Sequence, residues 1–253
     1  MVKNNGLIAF LLFVFLLCFG VSAYGESQDV FKRLHASYPD SIDKITWNYI
    51  AWKDGTRTPI RGNVPLLDFL VGFFYGVDYS YGSISKEDVL KDSYESFFKK
   101  MYGKSSVEVN KKLVTIYWMP NVFGKRYPLK VTTVNGVDKK LRRISAELEK
   151  LPPSYYKYLA NPAGSFYWRK VAGQSYLSSH SFGIAIDINS SYSNYWLWDV
   201  RRLKRSITEI GYRNRIPLRI VEIFEKEGFF WGGRWFFYDT MHFEYRPELV
   251  MPA

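Results

Sequence analysis

The chain has three histidines, and two of them stand near carboxylates. His180 and Asp187 lie seven residues apart in LSSHSFGIAIDIN (177–189), and Asp239 and His242 lie three apart in WGGRWFFYDTMHFEYRPE (231–248). Imidazole nitrogens and a carboxylate oxygen are donors that zinc accepts. A set made of His180, Asp187 and His242 would supply three protein ligands and leave a fourth position for water. Two imidazoles with one carboxylate favour zinc over harder divalent ions. A three-histidine site is the competing set, but it needs His35, which falls far upstream in a segment read as a surface helix, where a solvated role suits it. A hydrogen-bonded structural histidine is the chemistry-free alternative at each position.

For such a site to form, the elements around it must bring distant residues together. In GIAIDI (183–188), Ile184, Ile186 and Ile188 alternate with Ala185 and Asp187, so a strand sends three isoleucines to the core and Asp187 to the other face. His180 is an odd number of residues from Asp187 and would point the wrong way on an uninterrupted strand. The chain must therefore turn or bulge between Ser181 and Gly183, and Gly183 makes that bend possible. Glu244, two residues beyond His242, shares its strand face and suits either a hydrogen bond to the imidazole or a surface salt bridge. Trp231 and Trp235, on either side of Gly232 and Gly233, suit the core or the wall of a cleft.

Elsewhere the pattern mixes helices and strands without regular βαβ alternation, which predicts an α+β fold. DVFKRLHASYP (29–39) predicts a short helix stopped by Pro39. ITWNYIAWKDGTRTPI (45–60) predicts a strand whose Asp54-Gly55 pair makes a hairpin turn. Gly62–Ser85 reads as a loop-rich insertion, followed by a helix from Ser85 to Gly103. Strands are predicted in LVTIYWMP (113–120) and YPLKVTTVNG (127–136), with Asn135-Gly136 as the turn. Leu141, Ile144, Leu148 and Leu151 recur at helical spacing up to Pro152. A last helix starts near Pro217 with Leu218, Val221 and Phe224 on one side and ends at Gly228.

Composition narrows the class. At 253 residues, 47% of them apolar and 23% charged, the chain can bury a sizeable core and is not a disordered segment. The aromatic share of 19% suits a ring-rich core or carbohydrate contact. A formal charge of +11 favours an anionic partner. MVKNNGLIAFLLFVFLLCFGVSAYGES (1–27) has a basic start, an apolar run and small residues at Val-Ser-Ala, the form of a secretory signal cleaved after Ala23. An uncleaved anchor is the alternative to cleavage. Cys18, the single cysteine, lies inside the apolar run without a small residue before it, which argues against lipidation and leaves the mature chain without disulfides. Export places the protein in the periplasm or outside the cell, argues against nucleic acid as a partner, and leaves no stable membrane insertion once the signal is removed.

SSHSFGIAID and DTMHFEY resemble the paired motifs Ser-x-His-x-x-Gly-x-Ala-x-Asp and Glu/Asp-x-x-His of the zinc D-alanyl-D-alanine carboxypeptidase family, bacterial cell-wall peptidases. NYIAWKDGT, FFKKMYG, VNGVDKKL, FYWRKVAGQSYLSSHSFGIAIDIN and IVEIFEKEGFFWGGRWFFYDTMHFEYRPEL extend the similarity over most of the mature chain. The resemblance implies that His180, Asp187 and His242 hold zinc and that Asp239 is the catalytic acid/base. It also implies the small fold shared with the hedgehog signalling domain, a central antiparallel sheet flanked by helices. Several family members carry glutamate where this chain has the shorter Asp239. The family's carbonyl-polarising arginine matches Arg169 best, with Arg57, Arg126 and Arg234 as alternatives, and Ser178 occupies the Ser-x-His position, either against substrate or bracing the ligand loop.

The resulting expectation is a signal peptide (1–23), an N-terminal extension packed on the domain (24–137) and a zinc peptidase domain (138–253). The expected activity is hydrolysis of peptidoglycan stem peptides, of the D-alanyl-D-alanine carboxypeptidase type. An L-alanyl-D-glutamate endopeptidase of the same family and a non-catalytic module binding the anionic cell envelope are the alternatives.

Overall fold

The structure, a computed structural model, describes residues 31–46, 48–60, 91–171 and 176–250. The expected leader, the Gly62–Ser85 insertion and the start of the helix read from Ser85 lie outside the described residues. Within them, short strands form three small antiparallel sheets with helices packed around them, an α+β arrangement. Strands β1 (Ile42–Ile45), β2 (Tyr49–Trp52) and β3 (Arg57–Pro59) make the first, and β4 (Leu113–Tyr117) and β5 (Pro128–Thr132) the second. The third holds β6 (Ala185–Asp187), β7 (Phe229–Trp231) and β8 (His242–Tyr245), with β8 in the middle.

The resemblance implies one central antiparallel sheet; the described residues carry three separate ladders, of which one, β6-β8-β7, lies within 138–253. The strands are too short to run on: Met119 turns into the left-handed region (φ 45°) and Pro120 opens a helical turn, which ends β4. Asn135 and Gly136, also left-handed, lead from β5 into the helix Val137–Leu148. In the β2–β3 hairpin, the Asp54 carboxylate accepts from the Thr56 amide at 3.0 Å and hydroxyl at 2.6 Å, an Asx turn completed by Gly55 at φ 81°. The Lys100 ammonium reaches the same carboxylate at 2.6 Å and ties the helix Lys91–Tyr102 to the hairpin tip.

Helix Val137–Leu148 buries Leu141, Ile144 and Leu148 as its spacing predicts. In helix Leu218–Lys226 the buried residues are Ile220, Val221, Ile223 and Phe224, whereas Leu218, expected on that side, is 45% exposed. The apolar stripe is centred between the Ile220/Ile223 and Val221/Phe224 rows, so Leu218 is rotated away from it and sits on the solvent side of the first turn.

One apolar core links these parts, running from Phe31 and Leu34 through Phe97, Phe98 and Tyr102 to Ile184, Ile186, Phe224, Phe243 and Tyr245. Phe224 stacks on Phe243 with ring centroids 3.9 Å apart, fixing helix Leu218–Lys226 on the back of the third sheet. Phe182 sits against Phe98 at 5.7 Å and Tyr102 at 6.2 Å. Burying a ring of this size contributes about 1.5–3 kcal/mol, and here it also anchors the turn that carries His180.

That turn, the 3-10 segment Ser179–Phe182, ends at Gly183 in the left-handed region (φ 67°). A Cβ at Gly183 would lie 2.6 Å from Leu113 Cδ2 and 3.2 Å from the Thr132 amide, which donates to the Gly183 carbonyl at 3.0 Å. Both the backbone angle and the close approach of β4 and β5 therefore require glycine. Gly183→Ala is expected to lower stability by about 1–3 kcal/mol, read from the urea midpoint, with metal content falling in the fraction that still folds.

Candidate metal centre

Asp187 and His242 meet because they are partners across the β6–β8 ladder, where Asp187 pairs with His242, Ile186 with Phe243 and Ala185 with Glu244. Directly opposed residues project to the same face, so the isoleucine row goes to the core while the acid and the imidazole share the other side. The turn closed by Gly183 then brings His180 back over them. Asp187 Oδ1 lies 3.0 Å from His242 Nδ1 and 3.2 Å from His180 Nε2. The rings of the two histidines are edge to face at 5.1 Å.

The other nitrogen of each ring is already committed. His180 Nδ1 is 2.5 Å from the Ser165 carbonyl, an acceptor only, so Nδ1 carries a proton and Nε2, facing Asp187, is the nitrogen left for the centre when the ring is neutral. His242 Nε2 lies 3.1 Å from Glu244 Oε2 and 3.3 Å from Ser179 Oγ, which in the same way frees Nδ1 for the centre when the ring is neutral. Burial raises the Asp187 carboxyl, but the charge and hydrogen bonds of the two histidines outweigh it and hold the group far below the usual carboxylate range. Burial opposes charging of His242; hydrogen bonds to Asp187 and Glu244 overcome it and push the imidazole up to about 10.

The donor set fits a divalent ion. His180, Asp187 and His242 each offer one ligand atom, all within 4.8 Å of one another. The 3.0 and 3.2 Å spacings approach the separation of about 3.3 Å between two donors that each lie about 2.0–2.1 Å from a tetrahedral ion. Both rings have their outer nitrogen oriented by a fixed acceptor, as metal-ligating histidines do. His35, the alternative third imidazole, is exposed and bonds through Nε2 to the Asp43 carbonyl at 3.1 Å, away from this centre.

Residues 172–245 match the D-alanyl-D-alanine carboxypeptidase family model. The match covers both motifs and well under half of the 253-residue chain. It agrees with the resemblance carried by those motifs and points to a metallopeptidase of the kind that acts on peptidoglycan. No curated protein and no solved structure gives a match.

Within the matched segment, Asp239 lies in electrostatic reach of the three donors. Burial first, and then the negative charge of Asp187, push its carboxyl up to about 7. Its Oδ1 is buried and has no hydrogen-bond partner among the described residues. Its main chain is held by Gly232, whose carbonyl accepts the Asp239 amide at 3.0 Å, and by pairing with Tyr195. Gly232 is required there, because a Cβ would fall 2.6 Å from the Asp239 carbonyl. The two tryptophans take different roles: Trp231 is fully buried in the core, while Trp235 packs on the His242 ring at 5.4 Å.

Ser178 is 5% exposed and caps the His180 turn, its hydroxyl accepting from the His180 amide at 3.4 Å, so it braces the ligand loop. Arg169 is not drawn into the cluster. Its guanidinium is exposed, with Nη1 3.4 Å from the Lys170 carbonyl, at a rim position from which its charge reaches Tyr195. Of the other arginines, Arg57 lies over the Tyr49 ring at 4.5 Å and Arg234 pairs with Glu225 at 2.6 Å.

Glu244, paired with His242 in the interior, is neither a surface residue nor the end of the network. Its other oxygen accepts from Arg246 Nη1 at 3.2 Å, Arg246 Nε bonds Glu248, and Glu248 Oε2 accepts from the Tyr38 hydroxyl at 2.5 Å. Burial raises Glu244, but the His242 hydrogen bond and the Arg246 charge bring it down to about 2. Arg246 also covers the Phe98 ring at 5.2 Å. A buried row of charges thus runs from the centre to Tyr38, the residue just after the helical stretch 31–37. The sequence held a signal for it: His242, Glu244, Arg246 and Glu248 are polar at every second position through a strand and the proline after it.

Replacing the acceptor behind His242 tests this arrangement. Glu244→Gln is expected to weaken zinc affinity roughly 10- to 100-fold with one site still filled at saturating metal, measured by competition with a chromogenic chelator.

Proposed function

We propose that the chain is a secreted zinc metallopeptidase that hydrolyses peptidoglycan stem peptides, of the D-alanyl-D-alanine carboxypeptidase type. The observation that carries this reading is the convergence of His180 Nε2, Asp187 Oδ1 and His242 Nδ1, with the Asp239 carboxyl in electrostatic reach of them and its buried Oδ1 without a hydrogen-bond partner among the described residues. A pure binding module has no use for a second acid held beside a metal centre.

His180, Asp187 and His242 would hold the ion. Zinc bound there supplies a Lewis acid for the scissile carbonyl and lowers the pKa of the attacking water. Asp239 takes the proton of that water and returns it to the leaving amine, a task for a carboxyl held near neutral pKa by its surroundings. With an ion held by the three donors, the carboxylate form of Asp239 would be favoured, and this is the form that accepts the proton. Arg169, at the rim, supplies positive charge to the carbonyl oxygen as it becomes an oxyanion. Ser178, buried and capping the turn, keeps His180 in place. Trp235 shields the His242 side from water.

In this reading the domain spans 138–253 in the fold shared with the hedgehog signalling domain, with 24–137 as an extension packed on it and 1–23 removed on export. The sequence character of 1–27 and the anionic, extracytoplasmic nature of the substrate support that location. No helix among the described residues is long and apolar enough to cross a membrane.

Two variants separate metal binding from turnover. His180→Ala should lose stoichiometric zinc and activity together, by elemental analysis and by mass spectrometry of digested muropeptides. Asp239→Asn should keep zinc and lose at least about 100-fold in kcat; full activity in that variant would remove the acid/base role. For the unaltered protein, a chelator should abolish hydrolysis and added zinc restore it, with loss of a terminal D-alanine as the product signature.

A further inference from the structure

The excess of arginine and lysine conceals, in the sequence, which cations face a substrate. The structure gathers three of them in one cleft, a wall of which, Tyr195, pairs through its main chain with Asp239. A cleft of about 500 Å³ is walled by Tyr195, Trp198 and Tyr212 and carries Arg202, Arg213 and Arg215. Its one carboxylate, Asp199, is 4% exposed and is occupied from within. Asp199 accepts from Arg202 Nη2 at 2.8 Å, from the Tyr238 hydroxyl at 2.8 Å and from Asn194 Nδ2 at 3.2 Å, and Arg213 Nε lies 3.9 Å away. Three guanidinium groups against one buried acid leave the cleft with two net positive charges.

The arginines differ in role. Arg215 holds the loop, bonded to the Ser193 carbonyl and to Asn194 Oδ1 at 3.2 Å. The side chains of Arg202 and Arg213 are 64% and 40% exposed, so their outer N–H groups remain open to a ligand while Asp199 fixes where the planes point. The cleft adjoins the metal centre: Tyr195 pairs through its main chain with Asp239, and Tyr238, which bonds Asp199, is its neighbour in sequence.

We infer that this cleft is a carboxylate-binding subsite for the peptide substrate, with Arg213 and Arg202 gripping the carboxylate and the aromatic walls covering the chain that carries it. A planar guanidinium fork matches a carboxylate with two parallel hydrogen bonds, and rings beside it exclude the water that would compete. The inference rests on the peptidase reading for the identity of its ligand, but its test reads binding alone. A stem peptide offers two sources of this chemistry, its terminal carboxylate and its glutamate carboxylate.

The experiment is calorimetric titration of the zinc-loaded chain carrying Asp239→Asn, which keeps peptides intact, with L-Ala-γ-D-Glu-L-Lys-D-Ala-D-Ala and with two analogues, one amidated at the C-terminus and one at the glutamate. One amidation should weaken binding by roughly 10-fold or more, the size expected for losing a charge-assisted pair, and that analogue identifies the carboxylate held. Adding Arg213→Gln should bring the free acid down to the affinity of that amide and leave the amide unchanged. Should Arg213→Gln not fold, Arg213→Lys, which keeps the charge without the fork, should weaken the acid several-fold. Equal affinity for all three peptides, or an Arg213 variant that binds the acid as tightly as its parent, would overturn the inference. The peptidase reading fails separately, if the unaltered protein cuts no muropeptide while the acid-against-amide difference persists.

Discussion

The site depends on a single register: Asp187 opposite His242 in one short antiparallel ladder. A slip of one residue in either strand would send its own donor, Asp187 or His242, into the isoleucine and phenylalanine layer and turn Ile186 or Phe243 toward the polar side, so the core itself holds the register. His180 joins them only because the chain reverses at Gly183, in a space between Leu113 and Thr132 too narrow for any side chain. Three donors from two segments about 55–62 residues apart are therefore set by apolar packing, and the polar contacts among them refine a geometry already imposed.

Much of this was legible in the residues. The alternation of Ile184, Ile186 and Ile188 with Asp187, the need for a bend before it, and the hairpin at Asp54-Gly55 all follow from strand geometry and turn chemistry, which act locally. Separate small sheets were not legible, because which strands pair is decided by long-range packing that periodicity does not record. Leu218 shows the same limit at a smaller scale, since spacing proposes a face but the neighbouring elements choose which residues of it are covered. The site divides likewise. Its donors were readable from type and spacing, whereas the carbonyl of Ser165 carries no side-chain signature, and the arginines of the cleft could not be told from others on a basic chain.

Glu244, Arg246 and Glu248 are an expensive way to support an imidazole. Charges removed from water cost several kcal/mol each before pairing, and an apolar row would fill the same space more cheaply. What the charged row provides is direction. Each member fixes the orientation of the next, so the His242 ring is set by a chain of directional bonds where an apolar pocket would let it turn. The cost is offset because Arg246 lies between Glu244 and Glu248, Glu248 accepts from Tyr38, and the row is enclosed by Phe98, Tyr38 and Tyr245.

The hydrogen bond between Tyr38 and Glu248 spans 210 residues of sequence. Contacts of such separation need almost the whole chain to be in place before they repay the entropy of closing so large a loop. The last carboxylate of the row therefore acquires its partner late in folding, when two segments 210 residues apart meet. A half-folded chain in which these two segments have not yet met would hold the His242 ring loosely.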